Sequence, residues 1–232
     1  MIANIILPVV KASPRVPVSV IIANIRSQFN YTPSYRKAWI AKQKAMEKMH
    51  NGWDASYNDL WQWCQVLRRW VPGAITELET EPAYCQDRLV QGWRVFHRFF
   101  WTFDQCRKAF QYCKPMVQID GTFLYGRYEH RLLLAVAQDG DRKIMPVAFA
   151  ITPGEKADDW YFFLENLRRH VCPQEGICVI SDRGTGIIAA IERQGGVWDN
   201  THHRYCLRHI ATNYHKHWGN AAERAQVINM GK

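Results

Sequence analysis

Residues 116–124, MVQIDGTFL, then 131–139, RLLLAVAQD, and 143–152, KIMPVAFAIT, are three apolar runs of strand length, parted by turns rich in Gly, Asp and Arg. That spacing predicts a three-stranded meander. ADDWYFFLENLRRH (157–170) follows, with apolar residues recurring at three and four, the pattern of an amphipathic helix. GICVISD (176–182) is short and apolar, as a buried strand is, and TGIIAAIERQ (185–194) is helical again. A short strand around HHRYC (202–206) and a helix from about Leu207 to Trp218 complete the series.

Strand, strand, strand, helix, strand, helix is the element order of the ribonuclease H-like fold, an α/β class with a mixed sheet flanked by helices. In that fold the first and fourth strands of the series lie side by side at the centre of the sheet. Asp120 falls in the first and Asp182 at the end of the fourth, so two carboxylates distant in sequence are expected at one sheet edge. Paired hard oxygen donors suit Mg²⁺ or Mn²⁺, which retain waters and accept phosphate oxygens. Such ions activate a water or a 3′-hydroxyl and stabilise the leaving oxygen in phosphodiester transfer. Each aspartate also has a plainer reading: Asp before Gly at a strand end forms turns, and Ser181-Asp182 ahead of a helix can act as a cap.

Upstream, SVIIANIRSQF, SYRKAWIAKQKAMEKMH and SYNDLWQWCQVLRRW have helical periodicity between Val18 and Gly73. Ser34 and Ser56 are candidate N-caps, and Pro72-Gly73 ends the third helix. Residues 74–116 mix one or two short strands around Trp93 to Phe100 with a helix from about Thr102 to Tyr112, where Thr102 and Gln105 make a weak capping box. The first residues, with Pro8, Pro14 and Pro17, read as irregular. The expected organisation is a lead-in at 1–17, a helical segment with a short mixed connection at 18–115, and the ribonuclease H-like domain at 116–232.

The chain has 232 residues, 47% of them hydrophobic, enough for a real core. Thirty Lys and Arg against twenty-one Asp and Glu give a net charge of +9, which attracts polyanions such as DNA. Seven Cys at irregular spacings, without a CxxC, argue against a secreted disulfide framework and for a reducing compartment. MIANIILPVV lacks a basic n-region and a small-residue cleavage site and is too short to span a bilayer. The expectation is a soluble intracellular protein with no membrane partner.

The ordered stretches QIDGTFLYGRYEHRLLLAVAQDGDRKIMPVAFAI, ADDWYFFLENL, VISDRGTGIIAAI and HHRYCLRHIATNYHK resemble the central DDE transposase domain of plant Mutator-like elements (MULE), from Gln118 to Lys216 almost without gaps. SYRKAWIAKQKAMEKMHNGWDASYNDLWQWCQVL resembles the helical segment preceding that domain. The resemblance implies DNA transposition in the nucleus with Mg²⁺ or Mn²⁺, DNA as partner, and compatibility with a homo-oligomer. Asp120 and Asp182 match the family's first two catalytic acids, and Cys206 and His209 its CxxH motif near the active site. Zn²⁺ at Cys206/His209, completed by His202 and His203, is a second metal candidate; Cys206 as a small buried residue and His209 as a surface histidine is the plainer one.

The family's catalytic Glu belongs on a helix well beyond the CxxH motif, whereas this chain stops at Lys232. The expectation is a C-terminally truncated domain that lacks the third acid, with Glu223, the only acidic residue after the motif, as a weak candidate for a substitute. Glu155, Asp158 and Asp159 read instead as acidic residues at a helix start, favourable to its dipole. The zinc modules that flank the family's domain have no counterpart in these Cys/His spacings. DNA contact is assigned to Arg36, Lys37, Lys42 and Arg183, although Lys at helical spacing commonly forms the solvated face opposite a Trp-lined core. Three function classes remain: a DNA-cleaving and strand-transferring enzyme, a decayed or domesticated DNA-associated regulator, and a zinc-binding interaction module.

Overall fold

The computed structural model describes residues 2–49, 52–124, 128–198 and 201–231, without the side chains of residues 53, 196 and 197. The chain divides into two compact units, residues 1–65 with 125–128 and residues 66–124 with 129–232.

The first unit is helical: α1 (Ile2–Ala12), α2 (Val18–Phe29), α3 (Tyr35–Met49), α4 (Trp53–Asn58) and the start of α5 (Leu60–Trp70). The lead-in expected to be irregular is therefore helical over most of its length. Pro8 sits inside α1 and removes one backbone donor. Ala3, Ile6 and Val10 nevertheless fall on one face and are buried with Ile21, Ile25, Ala38, Ala41 and Ala45. That burial offsets the lost hydrogen bond. Ser34 caps α3 as its sequence suggests, its Oγ accepting from Lys37 N at 3.3 Å. Ser56 does not cap: it lies within α4 and donates its hydroxyl to the Gly52 carbonyl. The tryptophans of α5 are not core either, since Trp61 is 61% and Trp70 71% exposed.

The second unit is built on a mixed sheet of β1 (Ile75–Cys85), β2 (Arg88–Thr102), β3 (Met116–Phe123), β4 (Arg131–Gln138), β5 (Ile144–Thr152), β6 (Cys178–Ser181) and β7 (His202–Tyr205). Its order is β1-β2-β5-β4-β3-β6-β7. The meander β3-β4-β5 is antiparallel, whereas β6 runs parallel to β3 and β7 parallel to β6. The chain's ribonuclease H-like α/β architecture is contained in that order. The sheet also begins earlier than the expected boundary at 116, because the long β1-β2 hairpin joins it through Phe99, Phe100 and Trp101 against β5. Thr102 caps nothing. Its hydroxyl donates to the Val147 carbonyl at 2.7 Å, and α6 (Asp104–Phe110) starts two residues later.

Strand alternation sends Val117 and Ile119 of β3, and Leu133, Ala135 and Ala137 of β4, into the core. They pack with Trp160, Phe163, Leu164 and Leu167 of α7 (Ala157–His170) and Ile187 and Ala190 of α8 (Thr185–Arg193). After a 3₁₀ turn (Gly195–Trp198) and β7 come α9 (Leu207–Trp218) and α10 (Ala221–Asn229). Among the described residues no helix is long and apolar enough to cross a membrane.

Candidate active site

With Val117 and Ile119 directed into the core, Gln118 and Asp120 take the opposite face of β3. The parallel register pairs Gln118 with Ile180. Asp120 lies two residues further along β3, and Asp182 directly follows the last residue of β6, so the two aspartates fall on neighbouring, parallel segments of chain. Each carboxylate is anchored locally through Oδ1, which accepts from the Gly121 amide at 2.9 Å in Asp120 and from the Gly184 amide at 2.9 Å in Asp182. Among the described residues, one oxygen of each thus lacks a main-chain donor.

The start of α9 lies over this face. Cys206 is buried at the N-cap position, its amide bonded to the Ser181 carbonyl and its sulfur 3.8 Å from Gln118 Nε2. His209, one turn on, has Nε2 3.7 Å from Asp120 Oδ2. The two CxxH side chains therefore serve different neighbours. His202 and His203 alternate across β7, and His203 Nε2 is 2.8 Å from Ser181 Oγ. Burial, reinforced by the Arg204 charge, lowers the His203 pKa and favours its neutral form. The expected completion of a zinc shell by these histidines is not formed. Among the described residues no three His, Cys, Asp or Glu side chains are grouped as ready metal ligands.

Sequence reasoning set one residue aside that the fold brings in. Glu155, in the loop between β5 and α7, does not join the helix start with its two acidic neighbours. Asp159 accepts from the Lys156 amide and from Arg98 Nε at 3.1 Å, and Asp158 pairs with Arg193. The Glu155 carboxylate instead lies against Gly121, where an added β-carbon would stand 2.8 Å from its Cδ. Oε1 is 3.4 Å from Arg131 Nε, and the Arg131 guanidinium lies 3.7 Å over the Phe123 ring. Burial raises the Glu155 pKa, Arg131 opposes the rise, and the negative charges of Asp182 and Asp120 add to it. The sequence signal for this was the pair of glycines in DGT (120–122) and DRGTG (182–186), which make room for that loop.

The remaining candidates lie elsewhere. Glu223 is on α10 with its carboxylate engaged by the Tyr214 hydroxyl, so it is tied to α9. Arg183 is exposed beside Asp182. In the first unit Arg36 and Lys37 are exposed on α3, whereas Lys42 donates to the Val16 carbonyl at 2.7 Å and is half-buried as a brace between segments.

Comparison with curated proteins finds no match. Among solved structures, the HTLV-2 integrase catalytic core domain in complex with magnesium (trimeric form) is 14% identical, with a TM-score of 0.28 over 50% of this chain and 80% of that one. The Mos1 transposase in its paired-end complex with the left transposon end is 9% identical, with a TM-score of 0.26 over 86% of this chain and 76% of that one. Residues 116–213, the segment that carries Asp120, Glu155, Asp182, Cys206 and His209, match the family model of the MULE transposase domain.

Proposed function

We propose that this chain carries a transposase-derived DNA-processing centre in which Asp120 and Asp182 hold Mg²⁺ or Mn²⁺ for phosphodiester cleavage and strand transfer. The observation behind this reading is the parallel pairing of β3 with β6, because ligands of open α/β sheets bind beyond the carboxyl ends of such strands. The donors present fit a hard dication. Among the described residues both aspartates keep an oxygen without a main-chain donor, and His209, whose Nε2 faces Asp120 Oδ2 at 3.7 Å, has its other ring nitrogen, Nδ1, buried without a hydrogen-bond partner. A bound cation would supply activation of the attacking oxygen and stabilisation of the leaving one.

The protein's own groups do the rest. His209 orients Asp120 from the first turn of α9, and Cys206 seats that turn against Gln118 and β6. Exposed Arg183 neutralises backbone phosphate near the carboxylates, and exposed Arg36 and Lys37 give the helical unit phosphate contacts of its own. Self-association and a nuclear setting belong to the same proposal.

The test is calorimetric titration of Mn²⁺ and Mg²⁺ into the full chain and an Asp120→Asn/Asp182→Asn variant at moderate salt, followed by nicking of supercoiled DNA. Uptake lost in the variant supports the pair as the metal site. Failure of the unaltered, folded chain to take up either ion at millimolar concentration sinks the reading; DNA binding retained in that case points to a DNA-associated regulator without chemistry.

A further inference from the structure

Residues 1–46 contain seven Lys and Arg and no Asp or Glu. The basic side chains of α2 and α3 therefore have no counter-charge within their own segment, and Arg26, Arg36, Lys37 and Lys44 are all exposed. Arg36, Lys37, Ile40 and Lys44 recur at three and four along α3, on a side clear of the buried Ala38, Ala41 and Ala45. A folded, acid-free basic surface of this kind is complementary to a polyanion.

The aromatic residues beside it say which polyanion. Phe29 at the end of α2, Tyr31 in the connection and Tyr35 at the start of α3 are 52%, 45% and 65% exposed. The connection that carries them is fixed at both ends. Asn30 takes the left-handed conformation and its N–H closes α2 on the Arg26 carbonyl, Ser34 caps α3, and Pro33 between them is buried. The rings are thus held without the ordering cost that a free loop pays on binding. A depression lined by Ser19, Ile22, Arg26, Ser27, Asn30 and Thr32 adjoins the connection and offers a guanidinium, hydroxyls and an amide around an apolar side chain.

In a duplex the bases are stacked on one another and offer no open face to such rings, whereas an unpaired strand presents phosphates and base faces together. We propose that the α2–α3 end of the helical unit binds single-stranded DNA, with Tyr31 and Tyr35 stacking on bases and Arg26, Arg36 and Lys37 neutralising the adjoining phosphates. Stacking of this kind accepts every base, so the preference is for strandedness and not for sequence. This deepens the reading of Arg36 and Lys37 as phosphate contacts and needs nothing from the two aspartates.

The experiment is fluorescence anisotropy of a short labelled oligothymidylate, and of a blunt duplex of the same length, titrated with the full chain in the absence of divalent ions. The unaltered chain is compared with the Tyr31→Ala/Tyr35→Ala, Tyr31→Phe/Tyr35→Phe, Arg36→Gln/Lys37→Gln and Tyr112→Ala variants. The alanine pair is expected to weaken oligothymidylate binding by roughly tenfold or more and to leave duplex binding within about twofold, since its phosphate contacts are intact. The phenylalanine pair keeps both rings and is expected to bind as the unaltered chain does, and so is Tyr112→Ala, an exposed ring outside this unit. Arg36→Gln/Lys37→Gln is expected to weaken both ligands and to flatten the salt dependence on the single strand by about 1.4, from roughly 0.7 per phosphate contact. Thermal unfolding identifies any variant that misfolds; should the alanine pair do so, Tyr35→Ala alone carries the test. Oligothymidylate affinity unchanged by loss of the rings overturns the single-strand proposal, and if both ligands still depend on Arg36 and Lys37 the phosphate contacts stand. Binding indifferent to Arg36 and Lys37, or no binding of either ligand, overturns both.

Discussion

The main-chain carbonyl of Glu155 and the α-carbon of Gly186 are packed so closely that a β-carbon at position 186 would overlap the oxygen and stand 3.1 Å from the Lys156 carbonyl carbon and 3.2 Å from Trp160 Cδ1. Two of the three obstacles are backbone and the third is a buried indole, so none can swing aside. Gly186→Ala would gain about 1 kcal/mol of helix propensity in α8. The overlap outweighs it, because overpacking of this kind costs about 1–3 kcal/mol beyond what relaxation recovers. The expected result is a net loss of about 1–2 kcal/mol, seen as a thermal midpoint lowered by roughly 3–6 °C. Gly140→Ala, where nothing lies within 4 Å of an added β-carbon, is the control and is expected to change little. Equal midpoints for the two variants would show that the loop and α8 are not in contact.

Ile6 tests the other unit. It is 1% exposed and central to the cluster of α1, α2 and α3. Ile6→Ala removes buried methyl groups and leaves a cavity, which costs about 2–4 kcal/mol when neighbours do not collapse into it. Exposed Val20 in the same unit, changed to Ala, would cost far less. Native-state proteolysis and urea unfolding should find the Ile6 variant cleaved within 2–49 well before the parent. No difference would mean that residues 2–12 are an unpacked arm.

That comparison also locates what the sequence conceals. Alternation in RLLLAVAQ and the 3/4 spacing in ADDWYFFLENL are local properties, so β4 and α7 could be read directly, and the element order of the ribonuclease H-like fold then gave the expectation of β6 beside β3, which the parallel pairing of the two strands bears out. In α1 the period 3, 6, 10 is present but Pro8 masks it, and only burial against α2 and α3 reveals that the helix persists. In ITELETEPAYC both faces of the strand mix polar and apolar residues, with Pro82 inside; β1 exists through its pairing with β2 and cross-strand ion pairs such as Arg98–Glu79 at 3.3 Å. Glu155 was hidden for a related reason. Three acids within five residues at the start of an amphipathic run look alike in sequence, and only the tertiary approach of Gly121 and Gly186 separates Glu155 from the helix-start pair.

Acid should destabilise the second unit through its histidines. Burial lowers the pKa of His170, with the Arg169 and Arg107 charges adding to the effect and Glu77 opposing it; burial also lowers His130 and His203. A base whose folded pKa is depressed binds fewer protons in the folded than in the unfolded chain once the pH falls below the unfolded value of about 6.5. Stability contributed by the neutral imidazoles is therefore full above that pH and is lost progressively below it, down to the lowered folded values. Urea midpoints are expected to fall between pH 7.5 and 5.5, and His170→Gln should flatten part of that slope. A midpoint that rises on acidification over this range would contradict the assignment.

Thiol chemistry gives an independent check of the packing around α7. Cys172, at the end of that helix, is completely buried among Leu167, Ile177 and Val179, and desolvation pushes its pKa up to about 12. The thiolate, not the thiol, is the nucleophile, so at pH 8 this residue is unreactive on two counts, access and ionisation. Cys85, at the tip of the β1-β2 hairpin, is exposed. Iodoacetamide at pH 8, followed by peptide mass analysis, is expected to modify Cys85 within minutes and to leave Cys172 unmodified until denaturant is added. Labelling Cys172 at a rate comparable to Cys85 in the folded chain would mean that the helix C-terminus opens readily and that the core beneath α7 is not closed as described.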